Sequence, residues 1–110
     1  MHIHVKSLPK IIKPSSIVDR VFKSQGFRRK GKKDSPYYQL RIEDVSTKTQ
    51  YEVQIPIKEI HQHQQEPFYK CQEFQIKMIS PRRKNQQIPD AIILAAKEKV
   101  QEAFSYLLVK

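Results

Sequence analysis

The stretch from Tyr37 to Ile57 constrains this chain more than any other. Tyr38, Leu40 and Ile42, then Tyr51, Val53, Ile55 and Ile57, set an apolar residue at every second position. That is the period at which a strand turns one side to a core and the other to water. Between the two runs, residues 44–49 are short and rich in Ser, Thr, Asp and Lys, so the strands must fold back on each other as a hairpin.

The flanking segments supply what such a hairpin needs to cover its apolar side. Ser16 with Asp19 three residues on has the spacing of a capping box, and Ile17, Val18, Val21 and Phe22 form one helical stripe. Gly26 supplies the left-handed residue that closes a helix, with Phe27 placed to fold back on it. Phe27 to Lys33 reads as a short strand and turn, and a third long strand is predicted from Phe68, Phe74, Ile76 and Met78, all of one parity. Pro56 late in the second hairpin strand implies an edge, a bulge or a strand end there. Pro89 and Asp90 suit the first turn of a final helix that runs to about Leu108, its stripe formed by Ile93, Ala96, Val100, Ala103, Phe104 and Leu107. At the N-terminus His2, Ile3, His4, Val5 and Lys6 alternate like an edge strand, and Pro9 and Pro14 are expected to interrupt regular structure.

A chain of 110 residues buries roughly 65 % of its unfolded surface, enough for one core. The expectation is therefore a single domain over residues 1–110, with 1–14 as an N-terminal arm or edge strand. Its class is α+β: a two-layer sandwich in which an antiparallel sheet of about four strands has two helices packed on one face. No apolar run approaches the roughly 20 residues of a membrane span, and the first ten residues lack a secretory signal's apolar core. A cytoplasmic protein is expected.

In layout the chain resembles the YugN-like family of small bacillary proteins. The features that carry the resemblance are a first helix running into Gly26 and Phe27, a short strand, a polar turn into the paired Tyr37 and Tyr38, further strands, and the Ile88–Pro89 approach to a terminal helix. It covers roughly residues 17–108 and implies a fold and a bacterial cytoplasmic setting; the family supplies no catalytic residues to carry over.

The net charge of +10 is concentrated early. Residues 1–33 hold ten Lys or Arg against Asp19 alone, whereas residues 34–110 hold eleven basic and ten acidic side chains. Such a field attracts polyanions. The candidate anion-binding set is Arg28, Arg29, Lys30, Lys32 and Lys33, joined by Arg82, Arg83 and Lys84 of a second loop if both loops lie at one end of the sheet. The rest of the hairpin's polar side (Tyr37, Gln39, Arg41, Glu43, Gln50, Glu52, Gln54, Lys58) is of mixed charge. A polyanion is therefore expected at the flanking loops and not across the strands. The expected partner is anionic, nucleic acid or acidic protein; a homodimer stays open because Val45, Ile60 and Ile79 fall outside the core parity.

Other chemistries are less well supported. Two glycines five residues apart exclude a phosphate-cradling glycine-rich loop. The single Cys71 forms no internal disulfide and no cysteine zinc site, and no Ser, His and Asp stand in a nucleophile-elbow context. No catalytic residues and no cofactor are expected. Glu59, His61 and His63, with His2 and His4 as a second His-x-His pair, form a low-ranking metal alternative, because alternate residues of an extended segment share a side. The helix, three strands, helix order with basic residues before the last helix also resembles a double-stranded RNA-binding domain, with Gln86, Gln87, Ile88 and Pro89 where that domain has a glycine-rich approach. The reading reached is a non-catalytic binding or regulatory module.

Overall fold

The structure, a computed structural model, describes residues 2–4, 11–60, 66–79 and 87–108. In chain order the elements are β1 (His2–His4), β2 (Ile11–Pro14), α1 (Ser15–Ser24), β3 (Arg28–Lys32), β4 (Ser35–Asp44), β5 (Thr49–Ile60), β6 (Phe68–Cys71), β7 (Gln75–Met78) and α2 (Asp90–Leu108).

The predicted hairpin is the centre of the sheet. β4 and β5 pair antiparallel with Tyr38 opposite Ile55, Leu40 opposite Val53 and Ile42 opposite Tyr51, so both apolar runs face one side. At the turn the Asp44 carboxylate accepts from the Ser46 N–H (3.1 Å) and hydroxyl (2.7 Å), a local closure that aspartate is suited to make.

The sheet is larger than the expected four strands. Among the described residues it has seven strand segments, with β1, β7, β5, β4 and β3 in one order and β2 and β6 flanking the other half of β5. The predicted third strand is cut in two. Ile57 faces Cys71 in one half and Tyr51 faces Met78 in the other, so β6 and β7 differ by one residue in register along β5. The extra residue is a bulge opposite Pro56, whose carbonyl accepts from the Gln72 N–H at 2.9 Å. In an antiparallel strand a residue's N and C=O point the same way. The missing N–H of Pro56 therefore faces the bulge, where no ladder bond is lost. The one-residue slip also reverses parity: Tyr69 and Cys71 are buried before it, Phe74, Ile76 and Met78 after it. Phe68, expected to share the side of Phe74, stands with Lys70 on the other side. The two remaining extra segments come from the N-terminus, where β1 pairs with β7 and β2 with β6. Pro14 does not prevent β2, because it is the last residue of an outer strand.

Both helices cover the apolar side of the sheet. Val18 and Phe22 of α1 and Ile92, Ala96, Val100, Ala103, Phe104 and Leu107 of α2 are buried in one cluster with the inward strand residues. Phe22 is the hub, with its ring 4.7 Å from Tyr38, 5.4 Å from Phe27 and 6.1 Å from Phe104. Gly26 (φ 90°) closes α1 as predicted: its N–H reaches the Lys23 carbonyl and that of Phe27 reaches the Phe22 carbonyl at 2.9 Å, the paired bonds of a Schellman end. The capping box is not formed. α1 follows Pro14 with no side-chain cap, the Ser16 hydroxyl bonds Glu66 at 2.9 Å, and Asp19 turns instead to the sheet.

Candidate functional site

The basic segment Arg28–Lys33 is divided between the two sides of the sheet, because five of its residues form β3 at the sheet edge beside β4. Cross-strand partners share a side. Arg28 pairs with Gln39, Lys30 with Tyr37 and Lys32 with Ser35, which places these three on the side away from the helices. Arg29 pairs with Tyr38 and goes to the helix side, where its guanidinium lies 5.3 Å from the centre of the Tyr69 ring. Lys33 stands in the turn with Asp34.

On the helix side Arg29 belongs to a structural cluster. The buried Tyr38 hydroxyl donates to Asp19 at 2.9 Å, and Lys23 pairs with the same carboxylate at 2.8 Å. Burial pulls the Asp19 carboxyl upward, and the Lys23 ammonium, the Tyr38 hydroxyl and the nearby Arg29 outweigh it, leaving the group below its ordinary range. Burial, then the Asp19 carboxylate, holds the Tyr38 phenol far above its usual range; burial also raises Tyr69, against the pull of Arg29. The cluster ties α1 to the sheet.

The open side is where charge collects. Among the described residues the pairings place Arg28, Lys30, Lys32, Arg41, Lys58, Lys70 and Lys77 there against Glu43 and Glu52. Glu52 accepts from the Gln54 amide at 2.8 Å. The ion pairs formed among the described residues, Asp19–Lys23 and Lys99–Glu102, lie elsewhere. Two hollows cross this side. One, of about 630 Å³, is lined by Gly26, Arg28, Lys30, Tyr37, Gln39, Leu40, Arg41 and Glu52. The other, of about 610 Å³, runs from Lys33 to Tyr37 and across Gln54, Pro56, Ile57, Lys58, Glu59, Gln72 and Gln75, and in it Lys33 and Lys58 are balanced by Asp34 and Glu59. Tyr37 borders both. The hairpin taken alone is of mixed charge; the excess arises when β3, β6 and β7 bring their outward residues beside it. Tyr37, Arg41 and Lys58 are visible as outward positions in the alternation, and what the sequence does not reveal is which strands flank them.

Arg82, Arg83 and Lys84 lie outside the described residues. Ile79, the last described residue before them, donates its N–H to the Gln50 carbonyl at 2.9 Å and stands at the end of the sheet opposite the Lys33–Asp34 turn. His61 and His63 also lie outside the described residues. β1 places His2 opposite Lys77 and His4 opposite Gln75, at the level of Glu52 and Gln54 on β5. Glu59 stands five residues beyond Gln54, roughly 17 Å at the rise of a strand. Among the described residues no group of three His, Cys, Asp or Glu side chains could hold a metal. Cys71 is buried, and burial pushes its thiol up to about 12, which makes it an inert core residue. Of the candidates for a dimer contact, Val45 and Ile79 stand at the turn end of the β4–β5 ladder, where Val45 is exposed, and Ile60 stands beyond the other end. No described helix is long and apolar enough to cross a membrane.

The sequence matches no protein-family model and no curated protein. Among solved structures the fold is similar to that of the uncharacterized conserved protein YugN from Geobacillus kaustophilus HTA426, at a TM-score of 0.71 and 13% identity, over 88% of this chain and 86% of that one. The layout resemblance seen in the sequence thus holds at the level of the fold.

Proposed function

We propose that the protein is a non-catalytic binding module, bacterial and cytoplasmic, that takes an anionic partner on the open side of its sheet, with Arg28, Lys30 and Arg41 as the principal contacts. The observation that carries this reading is the excess of cations on the outward residues of the paired strands, clearest at the first hollow, where Arg28, Lys30 and Arg41 stand against Glu52 on a surface that the helices leave uncovered. Cations held at fixed spacing on paired strands present a polyanion with a rigid surface, and binding releases the counterions that the polyanion had condensed.

The test is a titration with inorganic polyphosphate over a range of salt concentrations. Affinity should fall linearly on a log–log plot, and Lys30→Ala with Arg41→Ala should flatten the slope by about one unit per lost phosphate contact. Absence of binding at about 50 mM salt, where a site with several phosphate contacts is strong, would refute the proposal.

A further inference from the structure

We infer that the anion is a single-stranded nucleic acid, laid across the open side of the sheet with bases stacked against Tyr37. This rests on the anion-binding reading above and adds the class of ligand to it.

Three observations separate a nucleic acid from other polyanions. First, Tyr37 is the shared wall of the two hollows, each near 600 Å³, so successive units of one polymer can occupy both with an aromatic ring between them. Aromatic rings on a basic groove are the recurring platform for unstacked bases. Second, that ring is braced. A methyl group at Gly31 would come within 2.9 Å of the Tyr37 ring, so the glycine lets ring and backbone approach closely, and a side chain already ordered loses little freedom on binding. Third, Gln39, Gln54 and Gln75 stand side by side across β4, β5 and β7, in the row next to Tyr37. An amide carries both donors and acceptors. A polyphosphate, like the carboxylates of an acidic peptide, calls for donors alone, whereas base edges present both kinds of partner. A duplex keeps its bases stacked and gives Tyr37 nothing to meet.

The chain contains no tryptophan, so Tyr37→Trp places a lone indole reporter between the hollows. Titration with oligouridylate of about 12 nucleotides, within the span of small single-strand sites, should quench that indole, and polyphosphate of equal charge should bind without quenching it. Tyr37→Ala, checked for folding by circular dichroism, should weaken oligouridylate about tenfold while leaving polyphosphate affinity unchanged, and Tyr37→Phe should bind like the wild type. The inference is overturned if polyphosphate quenches the indole equally, if Tyr37→Ala weakens neither ligand or both alike, or if a duplex of the same length binds more tightly. In each of those outcomes the anion-binding proposal survives. Failure to bind either ligand overturns both.

Discussion

Two buried tyrosines of the same sheet should respond in opposite ways to loss of the hydroxyl. Tyr38 and Tyr51 are both fully buried, on adjacent strands. The Tyr38 hydroxyl donates to Asp19 at 2.9 Å. A hydrogen bond to a charged group contributes about 1.5–3 kcal/mol. Asp19 is 32% exposed and keeps Lys23 at 2.8 Å, so water and the ammonium compensate in part, and Tyr38→Phe should cost about 1.5 kcal/mol. The Tyr51 hydroxyl has no hydrogen-bond partner among the described residues; the hydroxyl of Thr49, its polar neighbour, accepts from Thr47 at 3.0 Å. An unsatisfied buried hydroxyl carries a desolvation cost of about 1–3 kcal/mol on mutational scales, part of which Tyr51→Phe recovers. That variant should be as stable as the wild type or up to about 1 kcal/mol more stable. The gap between the variants is thus about 2 kcal/mol, which for an m-value of about 2 kcal/mol/M separates their urea midpoints by about 1 M. Equilibrium urea unfolding followed by far-ultraviolet circular dichroism reads it directly. Coincident midpoints, or a Tyr51→Phe midpoint below that of Tyr38→Phe, would refute the assignment of the two hydroxyls.

The two glycines should likewise separate. Gly31→Ala places a methyl 2.5 Å from the Ser35 carbonyl oxygen at a φ of 93°, whereas Gly26→Ala meets only the end of Leu40 at 3.5 Å and carries the φ cost alone. Losses of about 3 and about 1 kcal/mol are expected, respectively, from urea midpoints; equal losses would show that the close approach is relieved cheaply. Stability should also have two pH limits. Asp19 and Asp44 titrate below 3.8 in the fold, so their contribution is complete above about pH 4 and is lost as the pH falls through the folded values. The Cys71 thiol and the phenols of Tyr38, Tyr51 and Tyr69 are raised above 9.0 and 10.0, so their contribution is complete below those values and is lost as the pH rises beyond them. Melting temperature at constant ionic strength should therefore be level between about pH 4 and 9 on this account, and an alkaline decline starting well below that range would contradict it.

How much of this was legible depended on whether the signal was local. The central hairpin, the Gly26 end of α1 and the extent of α2 are written in short-range patterns: alternation, a glycine at a helix end, a proline and an aspartate at a helix start. The capping box at Ser16 and Asp19 was misleading because the same carboxylate is worth more to a buried phenol from another strand than to its own helix N-terminus, and that phenol is nineteen residues away in sequence. The third strand reads as continuous because Phe68 has the even parity of Phe74, Ile76 and Met78, whereas the slip puts it on the opposite side, with Lys70. Only a partner strand carrying Pro56 exposes the extra residue.

The candidate site divides in the same way. That Tyr37, Arg41 and Lys58 point away from the core follows from period two, and that the segment after Gly26 is strongly basic follows from composition. The sequence by itself thus determined the kinds of element, the side each residue takes within its own strand, and the early concentration of charge. Tertiary structure decided which strands are neighbours. Pairing β3 with β4, and β6 and β7 with β5, sets residues distant in sequence in register across one surface and turns a side of mixed charge into a basic one bordered by Tyr37. The physical reason is that side-chain direction is a property of a residue and its neighbours in the chain, whereas the field at a surface is a sum over strands that only the ladder hydrogen bonds bring together.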